Sequence, residues 1–211
     1  KEKKIKVGIS IGDLNGIGLE VILKTFTDKR ILDFCTPIIF ASQKSVSFHK
    51  KSIDSEVRFQ EVSSLERIVN DKVNLFSVWK DEVKVEFGTA TEVSGRCALQ
   101  SLEAATKALK ENDVDVLVTA PISKDNIQSD AFSFEGHTEY LEANLEGDSL
   151  MILMTETLRL GLVTGHVPVS KIAETITKEL IEKKVHIMYR TLVQDSGISK
   201  PKIAVLGLNP H

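Results

Sequence analysis

The chain has 211 residues, 42% hydrophobic and 27% charged, with a formal net charge of −3, a balance that supports one large α/β domain or two smaller lobes around a sizeable core. It excludes long disorder and the basic stripe that nucleic-acid binding requires, so nucleic acid is not an expected partner. The N-terminus KEKKIKVGISIGD lacks a signal-peptide apolar region, no uncharged apolar run reaches membrane-spanning length, and Cys35 and Cys97 lie far apart as reduced thiols, so a cytoplasmic protein without a membrane partner is expected.

In chain order, the first apolar run, Val7 to Ile11, leads into the turn IGDLNGIG. Pro37 to Ala41 and Val73 to Val78 follow as buried strands, and the charged segment from Trp79 to Phe87 reads as a lobe boundary or an excursion. Ala98, Leu102, Ala105 and Leu109 repeat at helical spacing. Val114 to Ala120 then ends in TAPISK, Leu150 to Thr155 forms a further run, and Leu160 to Thr164 ends in VTGHVPV. Ile172, Ile176 and Leu180 predict a helix capped by Ser170, and Ile203 to Leu208 predicts a last strand that exits through LGLNPH. Strands alternating with helices imply a mainly parallel sheet covered on both faces, with ligands beyond the carboxyl ends of the strands.

Several strand exits carry polar groups. Gly12, Gly16 and Gly18 permit a tight turn before a helix, where backbone N–H groups can meet an anion, but they match neither GxGxxG nor the GxxxxGK[ST] loop, and a plain turn is the preferred reading. Asp13 beside them suits an Asx-turn. Lys124 can meet a phosphate or carboxylate or stay solvated. Among five histidines, His49 and His186 read as ordinary surface or partly packed residues, whereas His137, His166 and His211 all fall at turns. Loops converging at one end of a sheet can bring such imidazoles to one divalent metal, although their spacing alone does not select that outcome. Thr138 can donate its hydroxyl to a phosphate or cap the helix that begins around Glu139.

Taken together, IGDLNGIGLEVILK, TAPISK, FEGHTEYLE, VTGHVPV and GLNPH resemble the ordered motif series of the 4-hydroxythreonine-4-phosphate dehydrogenase family of pyridoxal phosphate (vitamin B6) biosynthesis, with looser matching from Ser52 to Phe87. The resemblance implies an α/β/α two-lobed fold of the isocitrate/isopropylmalate dehydrogenase type, incomplete at the C-terminus. Residues 1–211 would then be the N-terminal part of a single two-lobed dehydrogenase. It also implies that His137 and Thr138 bind substrate, and that His166 and His211 bind a divalent metal (zinc, magnesium or cobalt). A third histidine ligand and further substrate contacts would come from a later segment, the third ligand across the interface of a homodimer.

The implied reaction is NAD-dependent oxidation of 4-phosphohydroxy-L-threonine, a phosphorylated amino acid, to a 3-oxo acid that decarboxylates to 3-amino-2-oxopropyl phosphate. The metal acts as a Lewis acid and the nicotinamide accepts the hydride; no residue of this sequence is assigned to cofactor binding. Leu14 replaces a usual proline and Gly165 a usual threonine, which leaves the subgroup and its substrate open. Two alternatives stand beside this reading. One is a related dehydrogenase of phosphorylated threonate or erythronate, and the other is a non-catalytic metal- or phosphate-binding fragment.

Overall fold

The structure, a computed structural model, describes residues 4–209. The chain divides into two compact units, Lys1–Leu145 and Glu146–His211. The first holds β1 (Ile5–Ser10), α1 (Gly18–Thr25), α2 (Ile31–Phe34), β2 (Cys35–Ala41), α3 (Gln43–Ser52), β3 (Phe59–Val62), β4 (Val73–Ser77), α4 (Glu92–Lys110), β5 (Val116–Thr119) and α5 (His137–Asn144). The second holds β6 (Ile152–Met154), β7 (Arg159–Gly161), α6 (Ile172–Thr175) and α7 (Lys178–Gln194).

Five strands of the first unit form one sheet in the order β3-β4-β2-β1-β5, and every pairing in it is parallel. Parallel strands buried on both faces need apolar residues at successive positions, and β2 meets that demand with Ile38, Ile39 and Phe40 all fully buried. Ile39 and Ala41 join Ile9, Leu19, Leu23 and Val46 in the core beneath α1 and α3, whereas Ile38 and Phe40 pack with Ala105, Ala108 and Val114 beneath α4. Where β1 and β2 run out, the fully buried Ser101 of α4 takes over the ladder. Its hydroxyl accepts from Ile11 N at 3.0 Å and donates to Phe40 O.

Both edges of the sheet differ in character. β3 presents the exposed Gln60 and Glu61, while β5 presents Val116 and Val118, 43% and 51% exposed. The segment from Trp79 to Phe87 is an excursion of the first unit rather than a boundary: Trp79 is buried, Val83 and Val85 pack against the core beneath α1, and the division falls after Leu145. Both cysteines are free thiols; Cys97 is buried, which pushes its pKa up to about 11, and Cys35 is half-buried.

In the second unit β6 and β7 form an antiparallel pair. Two predicted elements differ there. Ile203 to Leu208 is not a strand, because no edge among the described residues pairs with it, and Val205, Leu206 and Leu208 stand exposed at 58%, 81% and 63%. The predicted cap at Ser170 falls in a 3-10 turn, Val169–Lys171; the short α6 follows and ends where Ile176 turns extended. The long helix starts afresh at Thr177, whose hydroxyl accepts from Leu180 N at 3.2 Å and satisfies one of the open helix N–H groups.

The tightest backbone approach in the first unit is at Gly95, in the first turns of α4. A Cβ there would lie 1.8 Å from Asn126 O, and neither backbone can yield without breaking the turn that follows β5. Gly95→Ala is expected to destabilise the protein by at least about 2 kcal/mol, measured as a lower urea midpoint at unchanged slope.

Candidate functional site

Chain connectivity reverses direction at β1: β2 lies on one side and β5 on the other. In an open α/β sheet the carboxyl ends flanking such a switch point are where ligands bind. Two of the predicted polar turns, IGDLNGIG after β1 and TAPISK after β5, meet there. Gly12 adopts φ +68°, and a Cβ on it would lie 2.1 Å from Pro121 O; this lets Asp13 N donate to that same carbonyl at 2.9 Å. Asp13 Oδ1 accepts from Asn15 N at 2.9 Å, the expected Asx-turn, and its Oδ2 accepts from Asn126 Nδ2 at 3.1 Å.

Asn126 also donates to Ser94 Oγ at 2.8 Å and lies 3.2 Å from Thr91 O, next to the capping box that starts α4. Asn15 extends the network: its Nδ2 donates to Thr89 O at 2.8 Å, and its Oδ1 accepts from Glu86 N at 2.9 Å. The glycine-bearing turn is therefore a structural junction of three segments, and both carboxylate oxygens of Asp13 are engaged in it. Asn15 and Asn126 escape sequence reasoning. Nothing local marks Asn126, whose role appears only once β5 is known to lie beside β1.

His137 and Thr138 sit side by side in the first turn of α5. An aromatic group fixes that turn: Phe132 stacks on Tyr140 at 5.4 Å between centroids, and Phe134 meets Tyr140 edge-on at 5.5 Å, with Phe132 and Ile127 buried beneath. The helix begins one residue pair earlier than predicted. Gly136 is its N-cap, without a side-chain cap bond, so Thr138 lies inside the helix and does not cap it.

His137 Nε2 is buried without a hydrogen-bond partner among the described residues. Ser10 Oγ, Trp79 Nε1, Thr106 Oγ1, Asn126 Oδ1 and Arg159 Nε share that state, and each such group calls for an explanation. Burial pushes the ring's pKa down, so the neutral form, which holds one donor and one acceptor nitrogen, prevails at neutral pH.

His166 is exposed in the loop after β7, and His211 lies outside the described residues. A cavity of about 590 Å³ in the second unit is mainly apolar, lined by Leu150, Leu160, Val185, Met188, Leu192 and Ile203 among others; His166 does not line it. His186 is an ordinary helical residue, its Nδ1 2.8 Å from Glu182 O. His49, expected at the surface or partly packed, is instead 2% exposed. Its spacing from Val46, three residues before it on the buried face of α3, carried that signal.

A five-stranded parallel sheet with helices packed on it defines an α/β protein. The sequence pattern of the pyridoxal phosphate biosynthetic protein PdxA family matches residues 33–211, and the chain belongs to that family. It is 49% identical, over its whole length, to the 4-hydroxythreonine-4-phosphate dehydrogenase of Bacteroides thetaiotaomicron, of which it spans 58%. It is 28% identical over 97% of its length to the D-threonate 4-phosphate dehydrogenase of Cupriavidus necator, spanning 62% of that protein. In fold it is similar to the crystal structure of a 4-hydroxythreonine-4-phosphate dehydrogenase from Burkholderia phymatum, with a TM-score of 0.84 and 24% identity over 100% of this chain and 64% of that one. The chain thus spans about three fifths of the relatives it matches.

Because His137 has its folded pKa depressed below the ordinary value of 6.5, it favours the folded state above that value. The contribution is lost as pH falls through the depressed folded value. The imidazole C–H resonances of His137, assigned by comparison with His137→Gln, are expected to titrate below 6.5.

Proposed function

We propose that this chain forms part of a metal- and NAD-dependent 4-hydroxythreonine-4-phosphate dehydrogenase that serves pyridoxal phosphate biosynthesis by oxidising 4-phosphohydroxy-L-threonine. The observation that carries the reading is the 49% identity across the whole chain to the Bacteroides thetaiotaomicron enzyme of that name. A second reading, a dehydrogenase of phosphorylated threonate or a related sugar acid, draws on the Cupriavidus necator relative and ranks below it on 28% identity.

In this proposal α5 receives the substrate. The Thr138 hydroxyl, released from any capping duty by Gly136, donates to a phosphate oxygen near the helix N-terminus, where the backbone N–H groups favour anions. His137 offers its buried Nε2 to a substrate polar group, and its neutral state lets that nitrogen either accept or donate. His166 and His211 suit a divalent cation by donor chemistry, and the imidazole of His166 is accessible in its loop. A bound divalent metal would supply Lewis-acid polarisation of the substrate oxygen, and a nicotinamide would supply the hydride acceptor. Two histidines fall short of the three protein ligands usual for catalytic zinc. We assign the third ligand, the nicotinamide groove and a homodimer contact to the portion of the relatives that this chain does not span.

The test uses the natural protein at the length of its relatives, supplied with a divalent metal and NAD. NADH formation is expected with 4-phosphohydroxy-L-threonine and is expected to fall more than about a hundredfold, together with metal content, in His166→Ala and in His211→Ala. Full metal content in both variants overturns the metal assignment. Turnover on D-threonate 4-phosphate alone replaces the first reading with the second. The 211-residue chain by itself is expected to give no turnover.

A further inference from the structure

The ring of His49 is set between two carbonyl groups. Its Nδ1 lies 2.9 Å from Ser45 O on the same helix, and its Nε2 lies 3.0 Å from Leu14 O in the turn that leaves β1. A carbonyl cannot donate, so whichever tautomer is present, a neutral imidazole has one proton for two acceptors. Ser45 O stands one helical turn before His49 and is the natural acceptor of the His49 backbone N–H. Leu14 is fully buried, and among the bonds of its turn Gly16 N goes to Asp13 O and Gly88 N to Asn15 O, leaving the Leu14 carbonyl to the imidazole. The ring proton therefore belongs on Nε2.

A second proton would satisfy both carbonyls at the cost of placing a charge on a ring that is 2% exposed, edge-on to Phe87 at 5.2 Å and near Phe48 at 6.0 Å. Among the described residues no counter-ion offsets that cost. On α3 the neighbouring ionisable groups are Lys50, placed over the Phe59 ring, and the exposed Lys51. On the β1 exit it is Asp13, engaged by Asn15 and Asn126. In the segment bearing Phe87, Lys84 and Glu86 pair with each other, as do Glu20 and Lys24 on α1.

We propose that neutral His49, protonated on Nε2, is the pin that fixes the Leu14 turn to α3, and that a second proton releases it. Burial outweighs the two carbonyls and lowers the ring's pKa, and no charged group contributes. Any conformation in which the ring reaches water is then favoured by acid. Opening frees the β1 exit together with the Asp13–Asn126 bond it carries, so acid loosens the carboxyl edge of the sheet locally before the sheet itself unfolds.

Two measurements on the intact protein test this. Imidazole nitrogen shifts at pH 7.5 are expected to show His49 as a neutral ring carrying its proton on Nε2; a doubly protonated ring, or the proton on Nδ1, overturns the proposal. Amide hydrogen exchange, corrected for intrinsic rates, is expected to rise at least about threefold at residues 12–18 between pH 7.5 and 5.5, with β2 amides unchanged. His49→Gln places an amide N–H near the Nε2 position but cannot titrate, so it is expected to abolish that rise; a rise of the same size in the variant overturns the proposal. If the variant does not fold, the wild-type nitrogen shifts and exchange profile still decide, and a flat wild-type profile overturns it.

Discussion

The first unit is organised around a contact in which backbone meets backbone with no side chain between. After β1 the chain turns at Gly12 so that Asp13 N reaches Pro121 O beyond β5, and the loop that follows runs across Gly95 at the start of α4. Three segments distant in sequence are thereby held at one corner of the sheet, closer than any residue with a Cβ would allow. Everything polar at that corner follows from the approach. Asp13 reaches Asn126, Asn126 reaches the capping box of α4, and Asn15 draws in the segment around Glu86. Buried polar networks of this kind are most stabilising when their members are satisfied; here the side chains that engage one turn are supplied by the others, and Asn126 Oδ1 is left without a partner among the described residues.

The same corner separates two kinds of polar residue that look alike in sequence. Asp13 stands at a strand exit beside glycines, a setting equally suited to chemistry or to a turn, and both its oxygens are committed to holding the turn. His137 stands in a comparable setting, yet its buried Nε2 retains hydrogen-bonding capacity that the surrounding fold does not meet. Unmet capacity in a buried group is costly, and the aromatic packing of Phe132, Phe134 and Tyr140 holds the α5 turn in place despite that cost. The proposed binding role therefore rests on α5, while the glycine turn beside β1 belongs to the architecture.

Much of this was legible in the residues and some was not, for identifiable reasons. β1, β2 and β4 announce themselves as largely apolar runs because a central parallel strand is covered on both faces, and β5 does so although it is an edge strand with Val116 and Val118 exposed. β3 went unseen since an edge strand with outward Gln60 and Glu61 carries no such run. Conversely, Ile203 to Leu208 has the composition of a strand but meets no partner edge among the described residues, and composition cannot supply a partner. Ser170 and Thr177 are equivalent as helix caps by chemistry; the extended backbone at Ile176 decides between them. His49 was masked by Lys50 and Lys51 beside it, although its helical spacing from Val46 pointed inward. The histidine, threonine and glycine positions of the motif series were visible as a pattern, whereas the hydrogen-bond state of each depends on strand order, which no single motif encodes.

Strand order also sets a timetable. β2 is complete at Ala41, but the strand that covers the other side of β1 begins only at Val116. At a synthesis rate of about 5–20 residues per second, β1 waits about 4–15 s with one side paired and the other bare. Through that interval the nascent chain offers the open edge of β1 to any passing extended segment, and the long loop that must finally close makes β1–β5 docking the slow event of folding. The Gly12–Pro121 contact forms only when it does. The corner that organises the finished unit thus forms only after the other strands of its sheet have been made, and a ribosome that pauses before Val116 lengthens the time during which the chain needs protection from its neighbours.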